Sequence, residues 1–180
     1  MKLIRSTELR EGRWRNGMGV SWDIASEPAE AGAGDFGWRF AIARIDSDVP
    51  FSHYPETDRV FTLIEGNGLD LDFAGQESLA VHHLFVPHPY PCDVETYCRL
   101  RDGPCRALNL FMKRGAWSAA VDILSSNAVI DHPGPILFFV LQGHATVNGQ
   151  ALGTGDTLID VGHGEASVDG LLYAARLSRA

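Results

Sequence analysis

The sequence predicts an all-β protein of two tandem jelly-roll barrels, double-stranded β-helices packed together with little helix. Three observations carry this. No stretch shows sustained helical periodicity. Short alternating or fully apolar runs recur every ~8–12 residues, punctuated by Gly, Pro and Asn-Gly. The chain also echoes itself: a strand ending in Ile64-Glu65-Gly66 and another ending in Leu141-Gln142-Gly143 are each followed by a β-return. Those glycines lie too far apart for a solenoid repeat, so two related barrels in tandem are expected. Residues 1–115 would form the N-terminal barrel, which carries the pocket motifs. Residues 116–180 would form a smaller barrel completed by N-terminal strands.

The elements follow in order. Residues 3–9 read as a short opening strand, and Asn16-Gly17 is a tight-turn signal. From Val20 to Ala25 the chain alternates, with Val20, Trp22 and Ile24 on one face and Ser21, Asp23 and Ala25 on the other. Glu30–Gly37 is a flexible loop by composition. Trp38–Ile45 alternates again and places Arg39 on a face of small residues, as a cavity wall or a solvated outer face would. Phe51–Gly68 enters through a polar run, becomes a strand at Val60–Ile64 and turns at Gly66-Asn67-Gly68 into a second strand, Leu69–Phe73. This reads as a hairpin with working side chains at its mouth.

Phe85–Pro91, with three prolines, must be an irregular or edge segment. Asp93–Leu100 and Ala107–Met112 read as strands, the second with Asn109 as its one polar residue. Trp117–Leu124 alternates with period 2. Asn127–Pro135 reads as a turn, Ile136–Leu141 as a buried strand reversed at Gln142-Gly143, and Ala145–Val147 as its partner before a second Asn-Gly turn at Asn148. Thr157–Val161, Glu165–Asp169 and Leu171–Leu177 complete the run of short strands.

The totals exclude several classes. A formal net charge of −8 argues against nucleic acid as a partner, because phosphate backbones require a basic face. No apolar run approaches the roughly 20 residues of a membrane helix, and the first residues lack an apolar leader core, so a cytoplasmic protein is expected. Cys92, Cys98 and Cys105 are odd in number and lack a C-x-x-C spacing, which favours buried free thiols over zinc or disulfides. His82 and His83, adjacent in a strand, would point to opposite faces and cannot share an ion.

Both glycine turns resemble those of the cupin fold, whose metal-binding form carries H-x-H, then Glu, then a strand ending in a glycine turn. Registered on Gly66, His53 falls at the first histidine, Pro55 at the second and Arg59 at the glutamate. Registered on Gly143, His132 falls at the second histidine, with Ile130 and Ile136 at the other two positions. Neither barrel keeps three ligands, so no metal and no cofactor are expected.

More closely, the chain resembles the HutD/Ves family of bicupins. The resemblance rests on Trp14-Arg15-Asn16-Gly17 with Gly19, Trp38-Arg39, Phe51-Ser52 with Pro55, Asp58 and Arg59, Gly66-x-Gly68, and Gly103-Pro104 followed by Asn109 and Arg114. It runs from about residue 3 to 115. Met18, Asp23 and Ala107 depart from the family pattern, which has Gly, Glu and an acid there. The resemblance implies a bacterial cytoplasmic protein without established catalysis, encoded with histidine-utilisation enzymes. Such a protein binds a small acidic metabolite, for example urocanate or N-formylglutamate, and moderates flux or expression. Other members are linked to stress responses.

Three functions stay open on the residues. The first is a non-catalytic binder of a small anionic metabolite. Arg59 would point into the barrel with His53 and take a carboxylate bidentately; Trp14 and Phe51 would supply walls, and Asn16, Ser21, Arg39 and Asn109 polar groups. Asp58 would either point away or hold Arg59. The second is a metal-independent isomerase or hydrolase pairing His53 with Asp58 or Glu56. The third is an interaction module in which the apolar strand Ile136–Leu141 packs a homodimer.

Overall fold

A computed structural model describes residues 1–29, 31 and 35–180. Part of the loop expected at Glu30–Gly37, residues 30 and 32–34, lies outside the described residues. Among the described residues the regular elements are β-strands and one 3-10 turn, Ser6–Glu8. In chain order the strands are β1 (Lys2–Ile4), β2 (Glu11–Arg13), β3 (Val20–Glu27), β4 (Trp38–Ile45), β5 (Val49–Pro50), β6 (Thr57–Glu65), β7 (Leu69–Phe73), β8 (Leu79–Val81), β9 (Pro87–Pro91), β10 (Thr96–Leu100), β11 (Cys105–Lys113), β12 (Trp117–Leu124), β13 (Ala128–Val147), β14 (Gln150–Gly153) and β15 (Thr157–Arg179). The all-β prediction holds, and none of the described helices is long and apolar enough to cross a membrane.

The chain divides into two units, one of Arg10–Arg114 and one of Met1–Leu9 with Gly115–Ala180. In the first, a six-stranded sheet runs β2-β3-β4-β11-β6-β9 and a four-stranded sheet runs β5-β10-β7-β8. Alternation along each strand sends one set of side chains into a core of Phe61, Leu63, Leu69, Leu71, Val81, Tyr90, Cys98 and Phe111. β9 pairs with β6 alone, so its three prolines sit on a sheet edge, where their missing N–H groups break no ladder.

In the second unit one sheet runs β1-β15-β13-β14, with β12 also paired to β15. Its core holds Ile136, Phe138, Val140, Val147, Leu152, Leu158, Leu172 and Ala174. The apolar run from Ile136 is therefore already buried in the single chain, with Ile136 through Val140 at most 2% exposed.

Three local expectations are corrected. Gly66-Asn67-Gly68 does not close a hairpin, because β6 and β7 belong to different sheets and β7 pairs with β10 and β8. The turn instead carries the chain from one sheet to the other at a corner, with φ of 107° at Gly66 and 104° at Gly68. A Cβ at Gly66 would come within 2.7 Å of the Pro104 carbonyl oxygen, so the corner needs a residue without one. The opening strand is shorter than residues 3–9, giving way to the 3-10 turn after Ile4. Finally, Asn127–Pro135 and Gln142-Gly143 are not chain reversals. Both lie within or against β13, which runs on to Val147, and the three C-terminal segments form one long β15. Glycines bend these strands without ending them, and the ladder between them shifts register repeatedly.

Where β13 and β15 press together, Gly143 stands opposite Gly170. Gly170 has φ of 130°, and a Cβ there would lie 2.1 Å from the Gln142 carbonyl oxygen. Gly170→Ala is expected to cost at least about 2 kcal/mol in urea unfolding. Gly149→Ala should cost only about 1 kcal/mol, since Gly149 has positive φ but open space around it.

Candidate ligand-binding site

The first unit contains a cavity of about 40 Å³ lined by Trp14, Ser21, Arg39, Ala41, Ala43, Phe51, Ser52, Tyr54, Arg59, Asn109 and Phe111. Four neighbouring strands build most of it by register. Ser26, Arg39, Phe111, Arg59 and Tyr90 form one row across β3, β4, β11, β6 and β9. The next row is Asp23, Ala41, Asn109 and Phe61, and the one after is Ser21, Ala43, Ala107 and Leu63. The alanines leave the space, and the larger residues of the first row close one end of it.

Arg59 is the centre of the site. It is 6% exposed. Its Nε donates to Asn109 Oδ1 at 2.8 Å, and Nη2 donates to the same oxygen. Four rings surround the guanidinium, with Phe51 at 4.8 Å, Phe61 at 4.9 Å, Phe111 at 5.0 Å and Tyr90 at 5.5 Å from it. No carboxylate pairs with it among the described residues. A desolvated cation held by ring faces and one amide oxygen keeps donors free for an anion.

Arg39 lies on the other side of Phe111, 5.7 Å from its ring, and is also buried. It differs from Arg59 in having an acid: Nε donates to Asp23 Oδ1 at 2.7 Å. Its Nη1 reaches the Tyr54 hydroxyl at 3.5 Å. Asn109 is fixed by donating Nδ2 to the Ala107 carbonyl at 3.1 Å, which turns its oxygen toward Arg59. Ser21 is 5% exposed and lines the cavity.

The aromatic wall is assembled by a turn. The Trp14 ring packs edge-on against Phe51, with centroids 5.7 Å apart, and donates Nε1–H to the Val20 carbonyl at 2.7 Å. It lies over Gly19, where a Cβ would sit 2.4 Å from the indole. Gly19 is needed because the ring occupies the place of its side chain.

Of the side chains singled out in the sequence, Arg59, Arg39, Trp14, Ser21, Phe51 and Asn109 meet in this cavity. His53 and Asn16 do not. His53 is exposed, with Nε2 3.2 Å from the Asp93 carbonyl. Tyr54 turns inward and is 5% exposed, and its neighbours His53 and Pro55 face out. Asn16 is exposed and serves the turn, donating Nδ2 to the Pro50 carbonyl and accepting from the Met18 N–H. Asp58 points away from the cavity and pairs with Arg114, which also bridges to Asp93. Glu56 lies against Lys113. The acid–base pairing of His53 with Asp58 or Glu56 is therefore not made.

The sequence reading missed Tyr54, Ser52 and Phe111. Phe111 was legible, since it stands two residues from Asn109 on one strand. Tyr54 was not, because it precedes β6 in an irregular segment where alternation has no register. His132, placed by the second glycine register, has Nε2 2.7 Å from the Leu177 carbonyl. No group of three His, Cys, Asp or Glu side chains converges as a metal site among the described residues.

The HutD family model matches residues 6–171 of the chain. A 21.2 kDa protein in the hutC 3' region of Pseudomonas putida is 28% identical over 154 residues, covering 82% of this chain and 77% of that protein. Protein Ves of Cronobacter sakazakii is 28% identical over 158 residues, covering 84% and 82%. The solved structure of HutD from Pseudomonas fluorescens SBW25 superposes with a TM-score of 0.89 at 27% identity, covering 99% of this chain and 98% of that one. A cupin 2 conserved barrel domain protein from Leptotrichia buccalis, at 11% identity and a TM-score of 0.62, shares the fold. The fold is thus that of the cupins.

Two outcomes follow from this burial. Asn109→Leu removes the acceptor of a buried guanidinium and should cost about 3 kcal/mol in denaturant unfolding. The three cysteines are buried and free. Burial pushes the Cys92 thiol up to about 11 and Cys98 up to about 12, and raises Cys105. At pH 8 a thiol-specific reagent should therefore label none of them in the native protein and all of them once it is unfolded.

Proposed function

The chain belongs to the HutD family, and from that premise we propose that it is a non-catalytic binder of a small carboxylate metabolite acting in histidine utilisation and its regulation. Urocanate and N-formylglutamate are the candidate ligands. The observation that carries this reading is Arg59, a guanidinium 6% exposed, ringed by four aromatic side chains and without an acidic partner among the described residues. Guanidinium matches a carboxylate through two parallel N–H donors, and burial strengthens that pair. The free volume of about 40 Å³ is far below the roughly 300–1,000 Å³ of drug-sized pockets. A small acid, or the acidic end of a longer one, fits that space, and the aromatic wall favours a planar body. The position of the Pseudomonas putida relative in the hutC 3' region supports a histidine-related setting.

Thermal-shift titration with urocanate and with N-formylglutamate tests the reading. At least one should raise the melting temperature of the wild-type chain. Arg59→Met, which keeps length and packing but loses the charge, should weaken that ligand at least about 30-fold. Arg59→Ala should abolish binding while leaving a cooperative unfolding transition. An unchanged shift in both variants removes Arg59 from the site, and conversion of the bound acid to product on incubation replaces the binder with an enzyme.

A further inference from the structure

The turn that carries Trp14 into the cavity wall also places a third guanidinium beside the site. Arg15 is exposed and stacks over the Tyr54 ring, 5.7 Å from its centroid, and Tyr54 lines the cavity. Among the described residues its side chain makes one hydrogen bond, a long one from Nη1 to the His53 carbonyl at 3.4 Å. No carboxylate pairs with it among the described residues. The turn around it is held by its neighbours: the Gly17 N–H donates to the Trp14 carbonyl, the Asn16 N–H to Ser52 Oγ, and Asn16 Nδ2 to the Pro50 carbonyl.

Arg15, Arg39 and Arg59 contribute three guanidiniums, and Asp23, already held by Arg39, is their one paired carboxylate. A single carboxylate on Arg59 leaves Arg15 unneutralised. The two unpaired cations are linked through the aromatic wall, Arg59 against Phe111, Phe111 against Tyr54 at 5.3 Å, and Tyr54 against Arg15. A ligand lying along that wall would meet one cation at each end.

We propose that Arg15 is a second anion subsite at the rim, so that the cavity selects a small dicarboxylate over the matching monocarboxylate. This rests on the carboxylate-binding reading of Arg59. Arg15 is solvent-exposed, so its contribution is that of an exposed ion pair, a few-fold in affinity and screened by salt. Asn16 holds the turn that carries it, through one hydrogen bond from Nδ2 to the Pro50 carbonyl and one accepted by Oδ1 from the Met18 N–H.

Calorimetric titration of the full chain at low ionic strength tests this with three matched pairs: butyrate and glutarate, pentanoate and adipate, hexanoate and pimelate. At least one diacid should bind about fivefold more tightly than its monoacid. Arg15→Gln should bring that ratio to near one, and Arg15→Lys should keep most of it, with melting curves showing that both variants are folded. Equal affinities in every pair, or a preference that survives in Arg15→Gln, overturn the subsite and leave the Arg59 reading standing. Failure of all six acids to bind at up to about 10 mM overturns the subsite, and the carboxylate reading of Arg59 falls with it when urocanate and N-formylglutamate, titrated alongside, fail as well.

Discussion

A guanidinium buried without an acid beside it among the described residues is the constraint on which the first unit depends. Leaving Arg59 isolated in the barrel would cost several kcal/mol of lost hydration. The surrounding side chains answer that cost in kind. Four ring faces each contribute about 0.5–2 kcal/mol, and the Asn109 carbonyl contributes about 1.5–3 kcal/mol as an acceptor for a charged donor. These sums are comparable with the penalty, so the cation is tolerated with little to spare. Asn109 cannot turn its amide group around, because its Nδ2 is committed to the Ala107 carbonyl. Phe111 cannot shrink without exposing two guanidiniums at once, since Arg39 and Arg59 stack on the same ring.

The same rows explain why there is room for a ligand. On β4 the residues facing inward are Arg39, Ala41 and Ala43, and on β11 Ala107 and Asn109 continue the small floor. Steps of two residues along a strand advance by roughly 6–7 Å, so the floor of methyl groups runs away from the charged row and opens the cavity lengthwise. Trp14 and Phe51 then cover it from the turn at Asn16-Gly17 and from the segment before β6. The buried charge sits at one end and aromatic surface along the wall, an arrangement that suits a planar or slender acid.

Much of this was legible in the sequence, and the parts that were not have a common cause. Alternation with period 2 placed Ser21 and Arg39 on their faces, the count back from Gly66 placed Arg59, and Asn109 stood out as the one polar residue of an apolar strand; all four lie in regular strands, where neighbours must face opposite ways. The same count failed at His53, because it runs past the start of β6 at Thr57 into residues that are not in a strand. The buried Tyr54 takes the inward position there, and His53 goes to solvent. Sequence pattern failed again at Gly66-Asn67-Gly68, where a glycine turn between two strands looks the same whether the strands pair or part. Only the register with β10 and β8 shows that β7 has crossed to another sheet. In the second unit, glycines that read as turns are bends in long strands, because a residue without a side chain permits both.

The site's sign also has to work against the molecule that carries it. The chain's formal net charge of −8 repels anions at a distance. Screening confines that repulsion to about 8–10 Å at ordinary salt, whereas a guanidinium inside a desolvated cavity is screened far less. On the proposed reading, affinity for an acid would be a local property of Arg59 and its neighbours, and net charge would act mainly on the rate of encounter. A bound carboxylate would supply the counter-charge that the fold leaves out, so occupancy and stability are coupled: ligand free energy appears directly as resistance to unfolding. A structural arginine would gain nothing from such a partner, since its surroundings would already include one, as those of Arg39 do in Asp23 and those of Arg114 do in Asp58 and Asp93. Among the described residues, Arg59 is distinguished from both by what stands beside it, rings and an amide in place of an acid.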